Sequence, residues 1–265
     1  MVNTNPLIAQ PPSEVPLKEA PLIRVLAQVR FPTILSIKES SFVAPFQEAI
    51  RVNYPILKHE QAHGLILGLQ GVEQTEPITI WRFANADLNW QVSLAPDFVA
   101  LDTTSYISRK DFLERLENVL TALDLHIKPQ LVERCGLRYI DRVIDQDAKD
   151  IPKLVRHEIA GILATDLGNY VHQTISESLF NLPEGGGQIL ARWGLLPANT
   201  TLDPAAVEPI AEPSWMLDLD VSISTRRAFS VEALISETQW FAERIYTFFR
   251  WAVNDDFLRR FGGQL

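Results

Sequence analysis

Arginines recur at the spacing of a β-strand in the segment 131–144 of this chain. Arg134, Arg138 and Arg142 would share one face of that strand with Gly136, because alternate side chains of a strand point to the same side. A guanidinium group forms charge-assisted hydrogen bonds with phosphate or carboxylate. This face could therefore hold an anion or an acidic segment of a partner.

Further arginines occupy strand positions that match these by sequence. The triplet 29–31 (Val-Arg-Phe) resembles 137–139 (Leu-Arg-Tyr), and 82–83 (Arg-Phe) resembles 192–193 (Arg-Trp). The predicted binding residues are Arg30, Arg82, Arg134, Arg138, Arg142 and Arg192. The alternative is that these arginines pair with Glu133, Asp141 and other acids on a solvated sheet face.

Two groups of residues have the types needed to bind a metal ion. Asp218 and Asp220 share a face of a predicted strand, and paired carboxylates suit Mg²⁺ or Mn²⁺. The run His59–His63 matches His-Glu-x-x-His, whose histidines bind zinc from one face of a helix. Pro55 and Gly64 leave too little chain for such a helix. We therefore predict no metal ligand and no cofactor, and interpret the two aspartates as solvated strand residues.

No set of residues predicts a catalytic site. Cys135 lies in a predicted strand without a histidine at a diagnostic spacing, which is typical of a buried core cysteine. The run 184–187 (Glu-Gly-Gly-Gly) lacks the lysine and the following helix of a phosphate-binding loop, and it predicts a hairpin turn. We predict no catalytic residues.

Aromatic residues of the last helix are candidates for an interface. Trp240, Tyr246 and Trp251 lie off the apolar stripe of that helix, and aromatic side chains are enriched at protein interfaces. Packing between two halves of the protein explains them equally well.

Patterns of apolar residues and caps predict the elements that position these residues. Residues 22–31 alternate as a strand does, and Ser108 and Ser230 stand where helix N-caps are expected. A helix opening at Asp150 is expected to carry the apolar stripe Leu154, Val155, Ile159, Ile162 and Leu163. The other predicted elements are a helix at 41–53 and strands at 64–69, 78–83, 89–103, 131–144, 170–182, 188–196 and 217–224.

The predicted elements repeat in order. After a flexible lead-in at 1–19, residues 20–128 and 129–265 each read as a β-α-β-β-β-α half, which indicates internal duplication. The expected fold class is α+β, with an antiparallel sheet and helices packed on one side. This unit order resembles the saddle of TATA-binding-protein-like folds.

Composition limits the classes of partner. The 265 residues carry a formal net charge of -9 and a pI of about 5.1, which disfavours nucleic acid as a partner. Seventeen of the 24 basic residues are arginine, the side chain suited to directed contacts. A local arginine patch that binds nucleic acid therefore remains an alternative. With one cysteine, no signal-peptide pattern and no long apolar run, we predict a cytoplasmic protein with no membrane partner.

Four segments resemble a sporadically distributed, uncharacterised prokaryotic protein family to which no function is assigned. They are residues 20–31, 81–83, 101–112 and 134–141. The sequence departs from that family at Arg24, where an acidic residue is expected. The resemblance implies a bacterial or archaeal protein and offers no catalytic residues.

Three functions follow as hypotheses. The leading one is a non-enzymatic binding or adaptor protein that recognises a protein partner in a regulatory, defence or toxin–antitoxin setting. It rests on the acidic charge, the aromatic candidates and the lack of a convergent acid, base and nucleophile. The first alternative is a nucleic-acid-binding protein that uses the arginine-bearing sheet face. The second is a small-ligand-binding protein or metal-dependent enzyme with a site between the halves.

Overall fold

The computed structural model describes residues 5–62, 65–68, 71–74, 78–183 and 186–265. Its strands are β1 (Leu22–Arg30), β2 (Ile56–Ala62), β3 (Leu65–Gly68), β4 (Gly71–Gln74), β5 (Ile78–Ala84), β6 (Trp90–Ala95), β7 (Phe98–Thr103), β8 (Leu131–Val132), β9 (Arg134–Ile144), β10 (Ser176–Asn181), β11 (Gln188–Leu196), β12 (Ser214–Ile223) and β13 (Arg227–Ala228). Its α-helices are α1 (Ser40–Ile50), α2 (Arg109–His126), α3 (Asp145–Leu154), α4 (His157–Ala160), α5 (Val231–Ala252) and α6 (Asp255–Arg260). Short 3₁₀ helices cover Leu35–Lys38, Gly161–Ala164 and Gly168–Tyr170.

In the described residues, nine strands form one antiparallel sheet with helices packed on one side, which confirms the predicted α+β class. The strand order is β10-β11-β12-β9-β1-β7-β6-β5-β2. The first strands of the two predicted halves, β9 and β1, are therefore neighbours. Separate two-stranded ladders join β8 with β13 and β3 with β4.

Local patterns explain the long elements. Along β12 the apolar side chains of Trp215, Leu217, Leu219 and Val221 are buried on one face, and the other face is buried as well as far as Asp218. Helix α2 begins after Ser108, whose hydroxyl accepts a hydrogen bond of 3.1 Å from the backbone N–H of Asp111, as predicted. The predicted cap at Ser230 also accepts from a backbone N–H, at 3.3 Å from Ala233.

Several elements differ from the prediction. The strand expected at 170–182 covers only Ser176–Asn181, and Tyr170 ends a 3₁₀ turn. The helix expected to open at Asp150 begins at Asp145, and it ends at Leu154, so Pro152 lies inside it. Its stripe does not continue through Ile162, because α4 ends at Ala160 and Gly161 adopts a φ of +51°. Residues 56–62, which no strand pattern marked, form β2 beside β5. In the predicted hairpin turn at 184–187, Glu184 and Gly185 lie outside the described residues.

The chain divides into two compact units. Unit 1 combines the described residues of Met1–Val25 with Leu137–Ile223 and Trp240–Leu265. Unit 2 combines the described residues of Leu26–Gly136 with Ser224–Gln239. Within unit 1, the segment predicted as a flexible lead-in makes hydrogen bonds with the C-terminal helices, including one of 2.8 Å from the N–H of Val15 to the Tyr246 hydroxyl.

No helix among the residues that the structure describes is long and apolar enough to cross a membrane.

Candidate functional site

The most concentrated group of charges lies in unit 1, on β9, β11 and β12. Register places Arg192 of β11 directly opposite Asp218 of β12, and β9 with Arg138 is the next strand in the sheet. Cross-strand neighbours on one face lie about 5 Å apart, within reach of long side chains. The strand pairing therefore brings two predicted binding arginines to the same aspartate.

Asp218 holds both guanidinium groups. Arg138 donates from Nε to Oδ1 and from Nη2 to Oδ2, each at 2.8 Å, which is the bidentate geometry of strong arginine–carboxylate pairs. Arg192 donates to Oδ2 from Nη2 at 2.6 Å and from Nε at 3.1 Å. The remaining Nη1 of Arg138 donates to Asp203 at 2.8 Å. We call these four residues the arginine–aspartate network.

The network is buried, and its charges balance. The side chain of Asp218 is 1% exposed, whereas both arginines are mostly buried. Burial lowers the pKa of Arg138, but its hydrogen bonds with Asp218 and Asp203 and their charges raise that pKa by more. Burial likewise opposes ionisation of Asp203, and the bond from Arg138 lowers the pKa of Asp203 overall. Arg138 and Asp203 therefore both carry charge near neutral pH.

A proline-rich loop, residues 197–213, lies over the strand face that carries the network. It supplies Asp203 and packs its own apolar residues against Ile140 and Met216 of that face. The loop is also held by arginines, since Arg24 donates to the carbonyl of Ala206 at 2.5 Å and Arg142 to that of Glu208 at 2.7 Å. The apolar cluster beneath it consists of Ile23, Ile140, Leu196, Leu202, Ala206, Val207 and Met216.

Asp141 is a buried acid beside the network. Burial and, to a smaller extent, the negative charge of Asp218 together raise the pKa of its carboxyl to about 7. Asp141 was expected to pair with the arginines. The charge that acts on it is instead that of another aspartate, while Glu133, the other acid named as a pairing partner, bonds with Arg226 at 2.6 Å.

The predicted arginines of unit 2 are also engaged. Arg30 pairs with Asp97, and Arg82 donates to Glu60 at 2.5 Å and to the Ser93 hydroxyl at 3.0 Å. Arg134 lies 3.4 Å from the Gln28 side-chain oxygen. Arg30 and Arg82 therefore pair with acids, as in the alternative interpretation, whereas the contact of Arg134 is with an amide.

The candidate metal residues that the structure describes have other contacts. Asp218 is bonded to two arginines and is 1% exposed, so it is not the solvated strand residue that was predicted. His59 lies in a strand, where its ring packs against that of Trp81 at a centroid distance of 4.6 Å, and His63 lies outside the described residues. In the described ranges, no three side chains of histidine, cysteine, aspartate or glutamate gather as metal ligands would.

Cys135 is a buried core residue, as predicted. Burial, together with the nearby charge of Glu237, raises the pKa of its thiol to about 12. A thiol with that pKa stays protonated and is a poor nucleophile at neutral pH.

The aromatic candidates of α5 are half-buried rather than exposed. The Tyr246 hydroxyl bonds with the N-terminal segment, and the ring of Trp251 lies 4.9 Å from the guanidinium of Arg156. Trp240 packs against Phe241 at a centroid distance of 5.7 Å. Packing within unit 1 accounts for all three.

Three exposed large apolar side chains of unit 1 lie close together in sequence, in the segment Ile162–Tyr170. Leu167 is 60% and Tyr170 is 85% exposed, and Ile162 is exposed as well. Sequence reasoning placed Ile162 in a buried helical stripe and missed the other two. We call Ile162, Leu167 and Tyr170 the apolar segment.

The chain matches no known protein-family model, and no curated protein sequence is significantly similar to it.

Proposed function

We propose that the protein is a non-enzymatic binding or adaptor protein that recognises a protein partner through the apolar segment. The observation that carries the proposal is the exposure of Tyr170, Leu167 and Ile162 within one short stretch of unit 1. Large apolar side chains that are exposed together are typical of interaction sites, and tyrosine is enriched among residues that dominate binding energy.

The apolar segment has a defined backbone. A 3₁₀ turn at Gly161–Ala164 is closed by the Thr165 hydroxyl, which donates to the Ile162 carbonyl at 2.8 Å. A second 3₁₀ turn, Gly168–Tyr170, follows. Gly168 is needed there, because a Cβ would overlap the carbonyl oxygen of Leu163. A preformed segment loses little conformational entropy on binding, which favours recognition.

Charge indicates the character of the partner. The exposed acid Glu158 precedes the apolar segment, and the exposed acid Asp166 lies within it, just before Leu167. The chain as a whole carries a net charge of -9. Opposite charges at the rim of an interface speed association and reject like-charged proteins. We infer a partner with an apolar patch surrounded by lysine or arginine.

The nucleic-acid alternative has less support. Binding to phosphates needs cations that can release counterions, whereas Arg138 and Arg192 are each bonded to Asp218. Arg142 is the sharpest test of this alternative, because its contact is with a carbonyl and not with an acid. The small-ligand or metal-enzyme alternative rests on Asp218 and Asp220 alone.

We also propose that the chain arose by duplication and forms a TATA-binding-protein-like saddle. From β9 the sheet continues β12-β11-β10, and from β1 it continues β7-β6-β5. In each half, the first sheet strand (β1 or β9) lies next to the last one (β7 or β12). The strands that precede this last strand in the sequence follow it outward in reverse order. One repeated unit accounts for that shared order. β2 has no counterpart beyond β10 in the described residues.

The experiment compares protein capture by two variants. Leu167→Ser with Tyr170→Ser removes two exposed side chains, and Val52→Ser removes an exposed apolar side chain of unit 2. We expect wild type and Val52→Ser to recover the same stoichiometric protein from extracts of the native host. Recovery by the double variant should fall about tenfold or more, the loss typical when an interface anchor is truncated. Equal recovery by all three proteins would refute the proposed site.

A further inference from the structure

We propose that strand β10 pairs with β10 of a second copy of this chain, antiparallel and centred on Leu179. The two copies would share a continuous sheet across this edge. The inference goes beyond the proposed function, because it concerns the edge of the sheet and not the apolar segment. It would hold whatever partner the apolar segment binds.

β10 is an edge strand whose outer backbone groups have no strand beside them among the described residues. The N–H of Thr174 donates a hydrogen bond of 3.0 Å to the carbonyl of Leu195. The N–H of Leu182 donates one of 2.8 Å to the carbonyl of Gly187. Backbone groups alternate in direction along an antiparallel strand, so even-numbered residues from 174 to 182 bond to β11. Residues 177, 179 and 181 therefore direct their N–H and C=O groups outward.

Glu177 is the one charged residue of β10, and the other features that usually prevent pairing of an edge strand are missing from it. Natural edge strands are protected by lysine, proline, bulges or a covering segment. The sequence of β10, Ser-Glu-Ser-Leu-Phe-Asn, contains neither lysine nor proline, and its register with β11 runs without a bulge from Ser176 to Asn181. The side chain of Leu179 is 60% exposed, and Ile175 just before the strand is exposed as well.

The sequence of β10 is complementary to itself when the pairing is centred on Leu179. Centred on Leu179, the pairing places Leu179 opposite Leu179 of the second copy and Glu177 opposite Asn181 of that copy. The paired residues are those whose backbone groups point outward, so they can exchange about six hydrogen bonds. Centring on Glu177 would place two carboxylates opposite each other, and centring on Ser178 would place Glu177 against Leu179. Like charges in directly opposed positions destabilise a pair of strands.

A second copy is therefore the occupant that this edge fits. A single strand pair buries less surface than the roughly 1,200 Å² of a stable complex, so we expect a dissociation constant on the order of micromolar. Dimerisation should accordingly depend on protein concentration.

The first test measures molecular mass against concentration by sedimentation equilibrium. Wild type should shift from 29.9 kDa toward twice that mass as concentration rises. Leu179→Lys should stay monomeric, because two ammonium groups would oppose each other. Leu125→Lys is the matched control, since Leu125 is 62% exposed on α2, and it should dimerise as wild type does. A monomeric wild type, or a Leu179→Lys variant that dimerises equally well, would overturn the proposal.

The second test determines the register of the two β10 strands by disulfide crosslinking, and it does not rely on a change in affinity. Directly opposed, hydrogen-bonded residues have Cα atoms about 5.5 Å apart, which suits a disulfide. Leu179→Cys should therefore form a covalent dimer under mild oxidation. Glu177→Cys should not, because the two residues 177 would lie about 13 Å apart, four residues along the strand. The native Cys135 is buried and does not compete. Equal crosslinking of both variants, or crosslinking of neither, would rule out this register.

Discussion

At the scale of single residues, Asp218 decides whether the arginine–aspartate network is stable. It is the partner of both Arg138 and Arg192, and all three side chains are mostly withdrawn from water. A buried cation without its counter-ion must either pay for desolvation or lose its proton, and arginine does not lose its proton. Asp218 therefore helps to hold strands β9 and β11 and the loop 197–213 in place.

We predict that Asp218→Asn lowers the free energy of unfolding by about 3–5 kcal/mol, the usual cost of removing one member of a buried ion pair. Chemical denaturation monitored by circular dichroism gives this quantity. Asp256→Asn is the control, because Asp256 and its partner Arg259 are exposed, and its cost should be below about 1 kcal/mol. Equal effects of the two substitutions would show that the network adds no stability.

Asp141 should make stability depend on pH. Its pKa of about 7 in the folded protein lies above the ordinary value of 3.8, so the folded state keeps a proton that the unfolded state has lost. The resulting stabilisation is complete below about pH 4 and is lost as pH rises through about 7. Between about pH 5 and pH 8, the wild type should lose about 2–3 kcal/mol relative to Asp141→Asn.

Thermal and urea unfolding of both proteins over that pH range measures the difference, and groups common to both cancel. A difference that stays constant with pH would mean that Asp141 is ionised in the folded protein.

At the scale of elements, Gly194 shows how closely β11 approaches the chain before β10. A Cβ on residue 194 would overlap the carbonyl oxygen of Thr174, and backbone cannot move aside as a side chain can. Gly194→Ala should cost about 2–3 kcal/mol, the range of overpacking in a rigid environment. Gly136→Ala is the matched strand control. Its Cβ would meet only the flexible end of Arg134, so its cost should be about 1 kcal/mol or less. Denaturant unfolding of the two variants measures both stability losses. Similar losses would argue against the close approach of Thr174 to Gly194.

Much of the secondary structure could be predicted because its signals are local. Alternating apolar residues marked β1 and β12, and Ser108 marked the start of α2. The strand β2 could not be read in this way, because Lys58, His59 and Glu60 have no apolar alternation. Its pairing with β5 places His59 against Trp81 and Glu60 near Arg82, contacts between positions far apart in sequence.

The candidate site could be predicted only in part, for the same reason. Sequence patterns singled out Arg138, Arg192 and Asp218 separately, the first two as anion-binding residues and the third as a metal ligand. That they bind one another depends on the register of β11 with β12 and on the order of three strands. The contribution of Asp203 depends on where a long loop lies, and no periodic pattern encodes that position.

At the scale of the whole molecule, the paired arginines and the exposed apolar side chains lie in different parts of the chain. In unit 1, Arg138 and Arg192 are bonded to Asp218, and the loop 197–213 covers that part of the sheet. Exposed apolar side chains of unit 1 include those of the apolar segment and Leu179 of β10. A protein partner is consistent with that distribution, while the predicted cytoplasmic location stays a prediction.

The most direct measurement is affinity purification from the native host at near-physiological salt, with mass spectrometry and ultraviolet absorbance recorded on the same eluate. We predict one stoichiometric protein partner and no absorbance from nucleic acid. Nucleic acid that co-elutes, dissociates as salt rises and is lost in Arg142→Glu would contradict it, because counterion release makes such binding depend on salt.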